Sequence, residues 1–428
     1  MASFNRTAAD SDDFVRRSQE FVHWFRNAPG TRLSAKIELA DLRHKGAGRG
    51  VVATEDIAQD EELFAVPRSL QLLKKEQSKW YPYFRVLPAA FDSLMFWNDD
   101  ELAELQASSV RRRIGKEQAD ADFKEKAWPA MKADPEFFNF QGASDDECAE
   151  QALRLCHYAG SLIMAYAFDI DRDDSNLEED NQSSLNKAED ENDDDDDLQS
   201  DDEDNPLKGL VPFADMLNAD ADGNNARLFQ EDDGYLIMKA IKPINAGDEC
   251  LNDYGPLPRS ELLRMYGYVT DNYKQYDVVD FDLDLLEKTA GDRRARSKAW
   301  QRRKSQLEEM GVLDDGYSFP RPNPTASLDD AIPGDLHMVL REAALLSAVA
   351  TKKLSEYATS WQSDTADNQP TAPPAGVSAK RYKTAVEVRI GEKEILLQIL
   401  ALCTDFIAAK TNDQKRKIIN GHKLKTGK

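Results

Sequence analysis

The sequence has few cysteines and histidines and no long apolar run. Its four cysteines are widely spaced and form no C-x-x-C pair, so we expect neither a disulfide framework nor a zinc knuckle. Its five histidines show no H-E-x-x-H or similar spacing, so we predict no metal site. Because no stretch of about 18 apolar residues occurs, we expect no membrane-spanning helix. The opening residues MASFNRTAADSDDF also lack the basic start and apolar stretch of a secretory signal.

Acidic residues, in contrast, are abundant, and most of their excess lies in one segment. The 428 residues carry a formal net charge of −24, and residues 169–205 alone hold 19 acidic and two basic residues. Such a segment has too little apolar area to offset the entropy cost of ordering, so we predict that it is disordered. Two roles stay open for it: a solvated loop, or a segment that attracts a basic protein through clustered negative charge.

The length and the short apolar runs indicate several folded parts with strands at two places. A chain of this length forms two or three domains, and a hydrophobic share of 41% is enough for their cores. Residues 51–53 and 63–66 are typical of strands. Residues 227–230 and 235–241 predict a hairpin, with Gly234 near its turn.

Helical spacing of apolar residues occupies most of the remaining chain. Residues 80–140 predict amphipathic helix, and the chain after residue 288 is helical in pattern. Residues 152–168 are apolar on nearly every side, so we expect a buried helix there.

Three short motifs are candidates for chemistry, and each is weak when taken alone. Gly48-x-Gly50 is not a dinucleotide fingerprint, because no G-x-x-G continuation opens a helix after it; it is equally consistent with a tight turn before a strand. Asn218 is consistent with a turn cap, and Tyr254-Gly255 with an ordinary strand end.

The order and context of the three motifs carry a resemblance to a known family. GRGVVATEDIAQDEELFAVPR resembles the opening of a SET domain, PFADMLNADADGNNARL its asparagine motif, and GDECLNDYGPLPRSELLRMYGYV its closing motif. SKWYPYFRVLP, SLMFWNDDELAELQASSV and SLIMAYAF look like the helical insertion of the Rubisco-methyltransferase-like SET group. AVEVRIGEKEILLQILAL resembles the end of that group's C-terminal helical domain. The likeness is close over residues 20–275 and loose beyond.

The resemblance implies an α+β fold. It implies a SET domain of short β-sheets with a pseudoknot, interrupted by a helical insertion and followed by an all-helical C-terminal domain. The implied boundaries are 20–73 for the first part of the SET domain, 74–168 for the insertion, 169–205 for the acidic segment, 206–275 for the second part of the SET domain and 276–428 for a helical substrate-binding domain.

The resemblance also implies a reaction and the residues that serve it. Members of the group transfer a methyl group from S-adenosyl-L-methionine to a lysine, so we expect a protein-lysine N-methyltransferase. Tyr254 matches the catalytic tyrosine and also a cofactor contact. The other cofactor-binding positions of the family fall on Ala47, Gly48, Arg49, Asn218, Ala219 and Tyr266. The substrate-channel positions fall on Tyr166 and on Trp80, for which helix packing is the alternative role.

The chemistry explains why such a site needs a tyrosine and an apolar channel. Methyl transfer to lysine is an in-line displacement, so donor and acceptor must be held aligned. The lysine amine must be neutral although its ordinary pKa is about 10.4, and desolvation in a narrow channel favours the neutral form. A tyrosine hydroxyl beside the reacting centre orients the amine.

Ala219 and the acidic segment keep a second function open, since many SET proteins have histidine at the position of Ala219. No cysteine-zinc segment follows Tyr266, so the resemblance implies that the C-terminal helical domain supplies the wall of the site and part of the substrate surface. The alternative is therefore a catalytically inactive SET-like module that binds basic proteins, and an acidic histone chaperone is a third possibility. The expected partner is a basic protein, either ribosomal or a histone. We expect no membrane or direct nucleic-acid site, a monomer, and a location in the nucleus or the cytoplasm.

Overall fold

The computed structural model describes residues 8–45, 47–68, 70, 81–142, 144–171, 207–231, 234–290, 298–340, 343–365 and 373–425. Its chain forms two compact units, of which the first comprises Met1–Ala90 and Arg154–Tyr254 and the second Phe91–Leu153 and Gly255–Lys428. Both units are assembled from two separate stretches of sequence.

The regular elements of the described residues are numbered in chain order. The helices are α1 Ala8–Asn27, α2 Tyr81–Phe84, α3 Asp99–Ala103, α4 Lys116–Asp122, α5 Trp128–Ala133, α6 Asp145–Tyr166, α7 Arg259–Tyr266, α8 Leu283–Ala290, α9 Lys298–Glu309, α10 Leu328–Ala331, α11 Gly334–Leu340, α12 Ala343–Glu356, α13 Trp361–Thr365 and α14 Ala379–Lys425. The strands are β1 Arg32–Leu33, β2 Ile37–Asp41, β3 Arg49–Ala53, β4 Glu62–Pro67, β5 Ala167–Ile170, β6 Leu207–Leu210, β7 Ala226–Glu231, β8 Tyr235–Ala240, β9 Glu249–Cys250, β10 Val278–Asp282 and β11 Gly316–Pro320.

Short antiparallel sheets form the frame of the first unit. One sheet has the strand order β1-β4-β8-β7, a second has the order β2-β3-β9, and β5 pairs with β6. β3, β4 and the β7–β8 hairpin confirm the strands expected from the sequence. Gly234 has φ +81 at the hairpin turn, a conformation that glycine adopts without a side-chain clash.

An aromatic cluster joins α1 to the four-stranded sheet. Phe25 of α1 and Phe64 of β4 lie with their ring centroids 5.1 and 5.0 Å from that of Phe213, and all three side chains are buried. Phe21 contributes a fourth ring 5.7 Å from Phe213. Buried aromatic rings of this kind dominate the packing energy of a core, so the chain around Phe213 is held firmly.

The core of the second unit lies along its last helix. Ile395, Leu396 and Ile399 of α14 pack in one buried cluster with Leu346 and Val349 of α12. The helical pattern expected after residue 288 is thereby confirmed. The C-terminal region is nevertheless not all-helical, because β10 and β11 form an antiparallel pair whose Phe281 and Phe319 join the same cluster. The apolar runs of these two strands are short, and periodicity alone does not distinguish runs of this length from helix.

Buried charges in the second unit are paired. The guanidinium of Arg389 lies 3.0 Å from one carboxylate oxygen of Asp364, and the ammonium of Lys393 lies 2.6 Å from the other. Lys393 also donates to the backbone oxygen of Thr359 at 2.7 Å. Such groups stay buried because each has a partner of opposite charge or a strong acceptor.

The amphipathic helix expected for residues 80–140 is broken into short pieces. Helices α2 to α5 alternate with turns, and a π-helical turn occupies Phe123–Ala127. Gly115 precedes α4 with φ +70, a conformation that cannot continue a helix. The packing role expected for the apolar residues holds, since Trp97 and Leu105 are buried in one cluster with Leu263.

Helix α6 is present, but its burial differs from the sequence expectation. Leu155 is 56% exposed and Ile163 is 51% exposed, so one apolar side of the helix faces solvent. The helix ends at Tyr166, and Asp169 and Ile170, which were assigned to the disordered segment, pair with β6. Residues 172–205, the rest of that acidic segment, lie outside the described residues. Across the described part of the chain, no helix combines the length and the apolar character that a membrane span requires.

Candidate active site

A cavity of about 650 Å³ in the first unit brings the predicted motifs together. Five of the residues predicted from the sequence line it: Gly48, Arg49, Tyr166, Asn218 and Tyr254. Its volume lies in the range of about 300–1,000 Å³ that is usual for sites binding small molecules. The remaining wall comes from α1, from Arg43, from residues 85–89 and from residues 215–217.

Gly48 and Gly50 of the first motif differ in what a side chain at each position would meet. A Cβ atom on Gly50 would lie 2.4 Å from a methyl carbon of Leu42 and 2.7 Å from a carboxylate oxygen of Glu249, so any larger residue would force these side chains to move. A Cβ atom on Gly48 would meet nothing within 4 Å. Gly50 therefore permits close packing of β3, whereas Gly48 leaves the backbone at the cavity uncovered.

Asn218 ties the first motif to the closing motif. Its side-chain nitrogen donates to a carboxylate oxygen of Glu249 at 2.7 Å and to the backbone oxygen of Arg49 at 3.3 Å. Its backbone oxygen accepts from the N–H of Asn252 at 2.8 Å, and Ala219 pairs with Asn252 in a parallel bridge. Asn218 thus does more than cap a turn, because it fixes three segments of chain around the cavity.

Asn225 strengthens the same crossing, although no sequence motif distinguishes it. Its side-chain nitrogen donates to the backbone oxygen of Glu249 at 2.9 Å, and its side-chain oxygen accepts from the N–H of Leu251 at 2.8 Å. The residue lies in the quoted stretch DGNNARL, where an asparagine looks like any other turn residue. Only the pairing of distant segments distinguishes it.

Tyr254 stands at the end of the closing motif. Its side chain is half-buried and lines the cavity, and its hydroxyl donates to the backbone oxygen of Leu217 at 3.3 Å. The hydroxyl is therefore oriented by the residue that immediately precedes Asn218.

Basic residues give the cavity a positive character. Arg17, Arg43, Arg49 and Arg85 line it, together with Asp13 and Asp215. The guanidinium of Arg49 lies 4.1 Å from the ring centroid of Phe14, and its Nε donates to Ser18 at 3.0 Å. Burial, together with the charges of Arg43 and Arg17, lowers the pKa of Arg49 to about 10, so the residue keeps its charge at neutral pH.

Asp215 is the acidic group of the cavity that lies deepest in the protein. Its side chain is buried, and one of its carboxyl oxygens accepts a hydrogen bond from the hydroxyl of Tyr83. Burial raises the pKa of Asp215 to about 7, although the bond from Tyr83 and the nearby backbone N–H groups act in the opposite direction. The residue belongs to the quoted motif PFADMLN, but nothing in the pattern had singled it out.

The other predicted site residues lie elsewhere or are not described. Ala47 and Ala219 are half-buried next to lining residues, without lining the cavity themselves. Tyr266 belongs to α7 in the second unit, where burial raises its pKa to about 12. Trp80 lies outside the described residues.

Comparison with known proteins identifies the part of the chain that builds this site. A family model for the SET domain matches residues 48–255. This chain contains a SET domain. The matched range begins at Gly48 and ends immediately after Tyr254, so the SET domain includes the three motifs that meet at the cavity.

Two curated relatives resemble the chain over part of their length. Ribosomal lysine N-methyltransferase 4 of Saccharomyces cerevisiae is 34% identical over 314 residues, which cover 64% of this chain and 60% of the yeast protein. N-lysine methyltransferase SETD6 of Mus musculus is 29% identical over 288 residues, which cover 58% of this chain and 53% of the mouse protein. The chain therefore matches little more than half the length of these relatives.

Solved structures with the same fold extend the likeness to almost the whole chain. The SET domain of LSMT bound to lysine and AdoHcy has a TM-score of 0.60 at 17% identity, with 91% of each chain covered. Rubisco LSMT bound to AdoMet has a TM-score of 0.58 at 18% identity, with 91% of this chain and 92% of that chain covered. The predicted SET fold, with short antiparallel sheets, a helical insertion and a helical C-terminal region, is thus confirmed.

Proposed function

We propose that this SET protein is an S-adenosylmethionine-dependent protein-lysine N-methyltransferase. The observation that carries the proposal is the convergence of Gly48, Arg49, Asn218 and Tyr254 on one cavity. Two matched relatives carry lysine methyltransferase names. The proposal assigns the cavity to the methyl donor and to the side chain of the target lysine.

The residues of the cavity suit such a cofactor. S-adenosylmethionine supplies an electrophilic methyl group on a sulfonium. The cofactor carries a carboxylate, which the guanidinium groups of Arg17, Arg43 and Arg49 attract, and an ammonium, which Asp13 attracts. The uncovered backbone at Gly48 admits a ligand close to the main chain. Asn218 holds the backbone of Arg49 beside it. The proposed cofactor set also includes Ala47, Ala219, Tyr254 and Tyr266.

Tyr254 is proposed to orient the lysine amine. The residue lines the cavity, and its hydroxyl already has one partner, the backbone oxygen of Leu217, so the direction of the hydroxyl is set before a substrate arrives. A fixed group contributes to catalysis because it needs no rearrangement during the reaction. Tyr166 lines the same cavity and is proposed to contact the target lysine.

The positive surroundings favour the neutral form of that lysine. A lysine ammonium that enters the cavity loses hydration and meets the guanidinium groups of Arg17, Arg43 and Arg49. Desolvation and like charge both lower the pKa of an amine. The cavity therefore promotes loss of the ammonium proton to water before transfer. The freed lone pair of the lysine nitrogen would then form the new bond to the methyl carbon as the bond from that carbon to the sulfonium sulfur breaks.

A ribosomal protein or another basic protein of the nucleus or cytoplasm is the proposed substrate. The matched yeast relative is named a ribosomal lysine methyltransferase. The net charge of −24 and the acidic segment at residues 169–205 favour a Lys- and Arg-rich partner, because opposite charges accelerate encounter.

The proposal is tested by methyl transfer with the purified full chain. Isotope-labelled S-adenosylmethionine is supplied with ribosomal proteins in one reaction and with histones in another, and the labelled residue is located by mass spectrometry. We expect label on lysine with the wild type and with the control Tyr382→Phe, and almost none with Tyr254→Phe. If the wild type binds the cofactor in calorimetry but labels neither protein pool, the inactive binding module replaces the enzyme as the explanation.

A further inference from the structure

Asp215 lines the proposed active-site cavity, and the proposed reaction assigns it no role. Its side chain is 7% exposed, and its oxygen Oδ2 accepts from the hydroxyl of Tyr83 in α2. Among the described residues, none hydrogen-bonds to the other oxygen, Oδ1, which is also buried. A buried carboxyl with one unmatched oxygen is costly, so its presence needs a reason beyond packing.

The backbone around Asp215 is itself held in an uncommon conformation. Ala214–Met216 form one turn of 3-10 helix, and Phe213 before it has φ +78 and ψ −37. A residue with a side chain rarely adopts this region, and it does so only where the surroundings enforce it. Ring contacts with Phe25 and Phe64 hold the side chain of Phe213 in place, and the hydrogen bond from Tyr83 holds the carboxyl group of Asp215.

The turn ends at the carbonyl group that Tyr254 uses. Leu217 follows the 3-10 turn directly, and its backbone oxygen accepts from the Tyr254 hydroxyl. Asn218, which closes the first motif against the third, is the next residue. Any movement of the turn is therefore transmitted within two residues to both functional side chains.

We propose that Asp215 is a positioning residue for Tyr254: its bond from Tyr83 holds the turn at Phe213–Leu217, and the turn places the carbonyl that orients the Tyr254 hydroxyl. The inference rests on the proposed methyltransferase function for its effect on turnover. Its effect on the Tyr254 hydroxyl is independent of activity.

The charge of Asp215 supplies a readout that a purely structural role would not give. Burial raises the pKa of Asp215 to about 7, so its charge changes near neutral pH. The titratable groups around Asp215 are Tyr83 of α2, Tyr166 of α6 and the arginines that line the cavity. Burial raises the pKa of Tyr83 well above its ordinary value, and the charge of Tyr166 raises it further. An ionised carboxylate accepts a stronger hydrogen bond from Tyr83 than the neutral acid does. The turn is therefore held more firmly as pH rises through about 7.

The kinetic experiment compares the wild type with Asp215→Asn in the full chain. Asparagine keeps the shape and one acceptor oxygen but cannot ionise. Deprotonation of the substrate lysine affects both enzymes equally. The kcat of the wild type divided by that of Asp215→Asn therefore reports on the ionisation of Asp215 alone. We expect this ratio to rise about tenfold between about pH 6 and about pH 8, with KM for the cofactor unchanged. The same ratio taken with Tyr83→Phe as the background should stay constant with pH, because the hydroxyl whose hydrogen bond the ionised carboxylate strengthens is then absent.

A second measurement works whether or not methyl transfer is detected. Tyrosine labelled with ¹³C at Cζ reports on the hydrogen bond of each hydroxyl, and Tyr254→Phe assigns the signal of Tyr254. We expect this signal to shift in Asp215→Asn and Asp215→Ala, and to stay in place in the control Asp284→Asn, an exposed residue of α8. The inference would be overturned by an unmoved Tyr254 signal in both Asp215 variants. It would also be overturned if the ratio of the wild-type kcat to the Asp215→Asn kcat is constant with pH. Absence of methyl transfer by the wild type with a shifted signal would instead count against the proposed function alone.

Discussion

The hydroxyl of Tyr254 donates a hydrogen bond to the backbone oxygen of Leu217 at 3.3 Å. The two residues are 37 positions apart in the chain, and the contact exists because the segments that contain them pair through Asn218 and Asn252. The residue that orients the hydroxyl therefore belongs to the asparagine motif itself. A single crossing of two segments sets both the proposed cofactor contact and the proposed catalytic group.

Tyr254→Phe removes only this hydroxyl, so we expect the fold and cofactor binding to persist while turnover falls. Loss of one well-placed transition-state contact typically lowers the rate by about 10²–10³. Steady-state kinetics measure the change, and calorimetry with S-adenosylmethionine checks the binding. Full activity in the purified variant would refute the assignment of Tyr254.

Asn218→Ala is expected to weaken binding of S-adenosylmethionine about tenfold or more, since a hydrogen bond to a charged group contributes roughly 1.5–3 kcal/mol. The change also removes the side-chain nitrogen that donates a hydrogen bond to Glu249 where the two motifs cross. Isothermal titration measures the affinity. The control is Asn245→Ala, which loses a bond of similar length to Asp248 in an exposed turn, and which should bind as the wild type does.

Gly50→Ala and Gly48→Ala form a matched pair within one motif. The first places a Cβ atom 2.4 Å from Leu42, and we expect it to lower the free energy of unfolding by about 1–3 kcal/mol through overpacking. The second meets nothing within 4 Å, so its effect on stability should stay within about 0.5 kcal/mol. Urea denaturation of both variants measures the difference. Equal stabilities would show that β3 does not depend on the close approach at Gly50.

Asp215→Asn should change how stability depends on pH. The folded-state pKa of Asp215 is raised from its ordinary 3.8 to about 7, so between these values the folded state binds more protons than the unfolded state. Stability from this group is therefore greatest below about pH 4 and is lost as pH rises to about 7, with a total change of about 4 kcal/mol. Denaturation of wild type and variant across this range should show a difference that grows toward low pH in favour of the wild type. Parallel curves would mean that the carboxyl does not titrate in this range.

Deletion of residues 176–204 should leave cofactor binding unchanged, because no cofactor motif lies there. If the acidic segment attracts basic substrates, the deletion slows capture of a ribosomal or histone protein at low salt, and the difference shrinks at high salt as screening shortens to about 8 Å or less. A short uncharged peptide with the target lysine should be methylated equally by both forms. Equal rates on a basic protein at both salt concentrations would identify the segment as a passive linker.

The sequence by itself determined several of the local elements and most of the candidate residues that line the cavity. Alternating and continuous apolar runs predicted β3, β4 and the β7–β8 hairpin, because a strand needs only its own residues and a turn to define its pattern. The order of three short motifs predicted the SET fold, and five of the named residues line one cavity. The periodic pattern of α14 likewise predicted the helix along which the second unit packs.

Tertiary structure alone decided which polar groups meet and which apolar faces are covered. The bonds of Asn225 and Asp215 join segments far apart in the chain, and no local pattern records such partners. The arginines of α1 and of the first motif share the cavity because α1 packs through Phe25 against Phe64 of β4 and against Phe213. Leu155 and Ile163 remain exposed on a helix whose sequence is apolar on nearly every side, because burial depends on whether another element packs there.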